Sequence, residues 1–281
     1  MSATGAVDTS PSPATDYRAL YYRWEQEHWS ASAIDLTEDR RQWVDMLTDQ
    51  DRRVLAESVG LFYSFSEVAA SSLVRFVDAA PTEEQHVFLT TQLVDHARHV
   101  VFFDRVQREV IEVGDPTGDR FSNLNDGSRS LLYEMLPDVS ERLRGDTDGI
   151  DDFVAGIVLF HIVIEGTVIL TLQKFLLGHL SSHAALPGFS EGCGAVARDG
   201  ARHVEFAAGF LRDTVARDAD VGAVIAEAVD HALPAAGAAF DGPRGDETYF
   251  NGLPYGPTES RTWALEQLRK RLRSIGVHLP D

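Results

Sequence analysis

The chain has 281 residues and a formal charge of −19, from 25 Lys+Arg against 44 Asp+Glu, and 44% of it is hydrophobic. That is a globular composition with material for one large or two modest cores. So negative a chain argues against a nucleic-acid backbone or an anionic membrane surface as its partner. A single cysteine, Cys193, excludes an internal disulfide framework and any multi-cysteine metal site, and it fits a reducing cytoplasm.

Residues 1–16 are small, polar and Pro-containing, and are expected to form a disordered tail ahead of one domain over 17–281. A first long helix is expected from Asp49 or Asp51 to Val77, with an apolar stripe of Leu55, Val59, Phe62, Ser66, Ala70 and Leu73. The second starts after Thr82 as N-cap, with Glu83 and Glu84 in its first turn, and runs to Val113-Gly114. A solvated polar stretch, 115–126, separates it from a shorter helix over 127–144. Three more follow over 150–178, 190–216 and 221–240. A loop spans 241–257 and a last helix 258–275. The stretch Ile157 to Leu177 is about long enough to cross a bilayer. His161, Glu165, Gln173 and Lys174 interrupt it, so it reads as a buried core helix. The pattern is all-α, with four long helices forming a bundle.

One phrase occurs twice. D-x-A-R-H-V-x-F runs from Asp95 to Phe102 and again from Asp199 to Phe206, on two helices of matching length. An ancient duplication of a helix pair accounts for it. Polar side chains also recur on faces that should be apolar. His96 and His99 share a face of the second long helix, and His161 and Glu165 are spaced i, i+4 on the third. Asp199 and His203 have the same spacing on the fourth, and Glu67 lies among the apolar residues of the first. Burying a carboxylate without a partner costs several kcal/mol. A metal ion bound by all of them removes that cost, and bundle cores of this composition hold di-iron or di-manganese sites.

With these residues the chain resembles the ferritin-like superfamily, and within it the ribonucleotide reductase small subunit and its ligand-binding oxidase relatives. The resemblance covers residues 23–215 and rests on RWEQEHWSASAIDLTEDRRQW, FLTTQLVDHARHVVFF, the helix carrying Glu165, and RDGARHVEF. It implies a ferritin-like helical bundle with metal ligands at positions 67, 96, 99, 165, 200 and 203. Two of these depart from the family, whose bridging glutamates are replaced by His96 and Gly200. The family's radical tyrosine is Phe103 here, and its Tyr–Val cross-link positions are Phe160 and Ala70. Ribonucleotide reduction is therefore not expected.

The resemblance implies Glu67, His96 and His99 as a two-histidine, one-carboxylate set for iron, with manganese as the other candidate metal. Glu165, His203 and His161 would supply a second, weaker site. Asp199 matches a family aspartate that orients a ligand histidine, and Asp95 is its echo. Gly200 would leave room for an exogenous ligand. The expected activity is O2-dependent oxidation of a small molecule in specialised metabolism, inside an apolar cavity of Phe62, Phe103, Phe160 and Phe206. Electrons would come from the substrate or an external donor, and the chain would pair as a homodimer through its first long helices. The alternative is a metal-free descendant serving as an acid/base enzyme or as a binding or scaffold protein.

Overall fold

The computed structural model describes residues 14–112, 124–144, 150–183, 185–246 and 248–278. Among them every regular element is helical. Two short helices come first: α1 (Tyr17–Gln26), capped by Asp16 accepting from the Ala19 amide, and α2 (Thr37–Asp45). The sequence pattern does not announce either, because helices this short and polar are held by tertiary packing. Next comes α3 (Asp49–Asp78), whose start is a reciprocal capping box between Thr48 and Asp51. Thr82 caps α4 (Glu83–Arg105) as expected, and the helix runs on into a wide π turn over Val106–Ile111.

The expected shorter helix is α5 (Asp126–Arg129), a π turn over Ser130–Met135, and α6 (Leu136–Arg142). Then α7 (Asp151–Ile157) and α8 (Leu170–Ser182) are joined into one rod by a π-helical stretch, Val158–Ile169. The chain closes with α9 (Pro187–Arg217), α10 (Val221–Ala238) and α11 (Pro257–Ile275). Most of the expected tail and most of the 115–126 stretch lie outside the described residues.

The start of α9 shows how α2 earns its place. Asp39 accepts from the Gly188 and Phe189 amides at 2.9 and 2.6 Å, and Gln42 accepts from the Leu186 amide at 2.6 Å. These bonds satisfy helix-end donors that have no partner within the helix. They set the start of α9 three residues before the expected Ser190.

The rod Asp151–Ser182 is long and apolar enough to cross a membrane, and 89% of its most apolar window is buried inside the bundle. Its π stretch matters for the site. Thr167 Oγ1 donates to the Ile162 carbonyl five residues back at 2.7 Å. A Cβ on Gly166 would stand 2.8 Å from the His161 carbonyl oxygen and 3.0 Å from Val204 on α9. Only glycine lets the widened turn and α9 approach so closely. In this register His161 and Glu165 no longer share a partner, although their spacing would stack them in an α-helix.

Candidate metal centre

The repeated phrase becomes a pair of crossed networks between α4 and α9. Asp95 is fully buried and accepts from four donors: Trp24 Nε1 at 2.8 Å, Arg202 Nη2 at 2.9 Å, His203 Nε2 at 2.9 Å, and Arg98. Asp199 repeats this with Trp29 Nε1 at 2.8 Å, Arg98 Nη2 at 3.0 Å, His99 Nε2 at 3.0 Å and Arg202 Nη2 at 2.7 Å. Each aspartate thus holds the histidine of the other helix, and each arginine ties both aspartates together. The duplication expected from the sequence is a near two-fold arrangement of side chains. Trp24 and Trp29, which sequence reasoning did not single out, close its two ends. Their signal was only their place in the matched segment ahead of the first long helix.

The charge effects follow from these contacts. Burial pushes the Asp95 and Asp199 carboxyls up, but the hydrogen bonds and charges of His203 and His99 outweigh it and hold both below the usual range. Burial would lower His203. The Glu165 charge and the Asp95 hydrogen bond raise it instead, to about 9. His203 donates from both nitrogens, Nδ1 to Glu165 Oε1 and Nε2 to Asp95 Oδ2, each at 2.9 Å. Three buried carboxylates (Asp95, Asp199, Glu165) thus lie among Arg98, Arg202, His203 and His99, and Arg202 also pairs with the partly exposed Glu27 at 2.8 Å.

His96 is the exception. It is fully buried, and neither ring nitrogen has a hydrogen-bond partner. Burial, followed by repulsion from His203 and His99, pushes its pKa well below 6.5, so the ring is neutral. Its Nε2 lies 3.8 Å from Glu165 Oε1, and Glu165 Oε2 is likewise buried without a partner. Phe65 and Phe160 wall the ring at centroid distances of 5.3 and 5.8 Å. Among the described residues, His96, Glu165 and His203 form the one group of three whose donor atoms all lie within 4.8 Å of one another.

The expected Glu67–His96–His99 set is not brought together. The inward stripe of α3 is Leu55, Val59, Phe62, Ser66, Ala69, Leu73 and Phe76, all buried, and Glu67 is exposed. Glu67 follows Ser66 by about 100° around the helix, which turns it out of the core. The α3 side chain that meets His96 is Phe65. His99 adjoins His96, with ring centroids 5.3 Å apart, and its Nε2 is committed to Asp199. His161 Nε2 donates to Gln92 Oε1 at 2.8 Å, away from the group of three. Room above Gly200 is also not found, because Glu165 Oε1 stands 3.2 Å from where a Cβ there would lie. The four phenylalanines expected around a cavity are buried and packed on neighbours: Phe62 on Phe103 at 5.6 Å, Phe160 on His96, and Phe206 on Phe88 at 5.1 Å.

Known structures share this architecture. A variant of an R2-like ligand-binding oxidase with an aerobically reconstituted Mn/Fe cofactor is 22% identical at a TM-score of 0.81, over 92% of this chain and 94% of that one. An R2-like ligand-binding oxidase with an aerobically reconstituted metal cofactor after photoconversion is 21% identical at 0.80, over 92% and 93%. The helical bundle is common to all three. The profile of the ribonucleotide reductase small-chain family matches residues 7–233, which include α4, the rod and α9 with every residue of the buried cluster. The chain belongs to the ribonucleotide reductase small-chain family.

Proposed function

We propose that the chain holds one iron ion between His96, Glu165 and His203 and uses it with O2 to oxidise a small molecule. The observation that carries this is the wholly buried His96, both of whose nitrogens lack a partner, facing an equally unpartnered Glu165 oxygen. Each such group costs about 1–3 kcal/mol when left alone, and a cation between them removes that cost. Two imidazoles and one carboxylate are the ligand type of mononuclear non-haem iron sites with open positions. The Mn/Fe cofactors of the similar structures support a redox metal, and manganese is the other candidate. The single carboxylate in the group supports one ion, since two divalent ions beside one anion leave a large uncompensated charge in a low-dielectric core. When bound, the metal supplies the redox chemistry.

The side chains supply the rest. Asp95 fixes the His203 ring through Nε2 and leaves Nδ1 for the ion, while Phe65 and Phe160 keep water from His96. Exchanging the His203 proton for a divalent ion raises the charge of the cluster by one, which an anionic group on the substrate or a hydroxide would offset.

The test is metal content per chain by plasma mass spectrometry, on protein made with iron and with manganese. One ion per chain is expected, and Glu67→Ala should keep it because Glu67 lies outside the group. No ion under either condition overturns the reading. One observation favours a second reading in that event: Asp95, Asp199, Arg98, Arg202, His99 and His203 already pair with one another, which suits a metal-free protein in which the cluster is a hydrogen-bonded core.

Metal uptake should also depend on pH. The ion must displace a proton held with a pKa of about 9 on His203. Apparent affinity should therefore rise about tenfold per pH unit between about pH 6.5 and about pH 8.5. The metal-free fold should move the other way. Its raised His203 pKa contributes stability that is complete below the unfolded value and is lost as pH rises through about 9. Competition titrations with manganese(II) read the first slope, and a flat profile would contradict the displaced proton.

A further inference from the structure

A second pair of imidazoles stands at the end of α8, apart from the buried cluster. His179 and His183 are four residues apart, so they share one side of the last turn, and their ring centroids are 5.0 Å apart. Each ring already uses one nitrogen as a donor. His179 Nε2 donates to Asp51 Oδ1 at 2.8 Å, and His183 Nδ1 donates to the His179 carbonyl at 3.0 Å. These bonds fix where the protons sit and leave lone pairs on His179 Nδ1 and His183 Nε2.

The two lone pairs are placed differently. His179 is 7% exposed, and its Nδ1 is buried with no hydrogen-bond partner. His183 is exposed, which gives an ion a way in from solvent. Asp51 holds His179 from behind, in the carboxylate–imidazole arrangement that orients metal-ligating histidines. The pair also lies at the C-terminal end of a helix, where the unpaired carbonyls favour a cation.

We propose that His179 and His183 bind a divalent transition-metal ion of the zinc type, with solvent completing its coordination and Asp51 positioning His179. Imidazole nitrogens suit zinc, nickel and copper. The site is independent of the ion proposed for the core.

The test is titration of the untagged full-length protein and its His183→Ala variant with Zn2+ against a chromophoric chelator. His183 is exposed, so the variant should keep its fold, which circular dichroism checks. Any zinc taken up by the core counts equally in both proteins. The wild type should bind one more ion per chain, and Asp51→Asn should weaken that extra binding by roughly tenfold or more. Equal stoichiometry and affinity in the wild type and His183→Ala overturn the proposal.

Discussion

Replacing His96 with leucine should abolish the bound metal while leaving the metal-free fold as stable as before, or more so. His96 is fully buried between Phe65 and Phe160, and neither of its nitrogens has a hydrogen-bond partner. In the metal-free chain those nitrogens only cost free energy, and an apolar group of similar size removes the cost. With the ring gone, the remaining donors are Glu165 and His203, already joined at 2.9 Å. Two readouts should then move in opposite senses: ions per chain fall to near zero, and the urea midpoint of metal-free protein holds or rises. A lower midpoint, with unfolding free energy down by several kcal/mol, would mean that His96 packs as a structural residue. Retained metal would mean that the ion sits elsewhere.

Asp95→Ala should have the opposite character, with a loss of about 3–5 kcal/mol of folding stability at neutral pH. Asp95 accepts from Trp24, Arg98, Arg202 and His203. Its removal takes one carboxylate away from Arg98, Arg202 and His203 in a cluster that is almost wholly buried. Arg98 and Arg202 keep Asp199, but His203 loses the bond that fixes its ring. In a chain of this size the loss corresponds to a drop of roughly 10 °C in the thermal midpoint. Denaturant unfolding of metal-free protein measures it, and a change below about 1 kcal/mol would show that the crossed network contributes little. The sign with pH is also set. Both aspartates have lowered pKa values, so their contribution is present above the unfolded carboxylate range and fades as pH falls through the folded values. The aspartates therefore lose their contribution in acid, whereas that of His203 is lost as pH rises through about 9.

Much of this protein is legible in its sequence because helical periodicity and capping are local. The capping box of α3, Thr82 ahead of α4, and the buried polar residues of α4, the rod and α9 all follow from spacing and residue type. His96, Glu165 and His203 were named as ligands from their pattern and family resemblance, and the structure brings them together. The repeated phrase also foretold a symmetric pair of helices, although not that each aspartate would hold the other helix's histidine.

In the sequence Glu67 lies among Phe62, Phe65, Ala69 and Ala70 and matches a ligand position of the family, and Ala70, one position past the stripe residue Ala69, extends the apolar pattern almost equally well. A one-residue difference in register rotates a side chain by about 100°, and only packing against α4 chooses between the two. His161 and Glu165 looked like one face, but the π turn between them sends one to Gln92 and the other to His203. Trp24 and Trp29 reach Asp95 and Asp199 across 71 and 170 residues of chain. Composition and spacing thus determined an all-α bundle with histidines and carboxylates in its core. Tertiary packing alone decided which of them meet, because helix register, a widened turn and long-range contacts are settled by what each helix packs against.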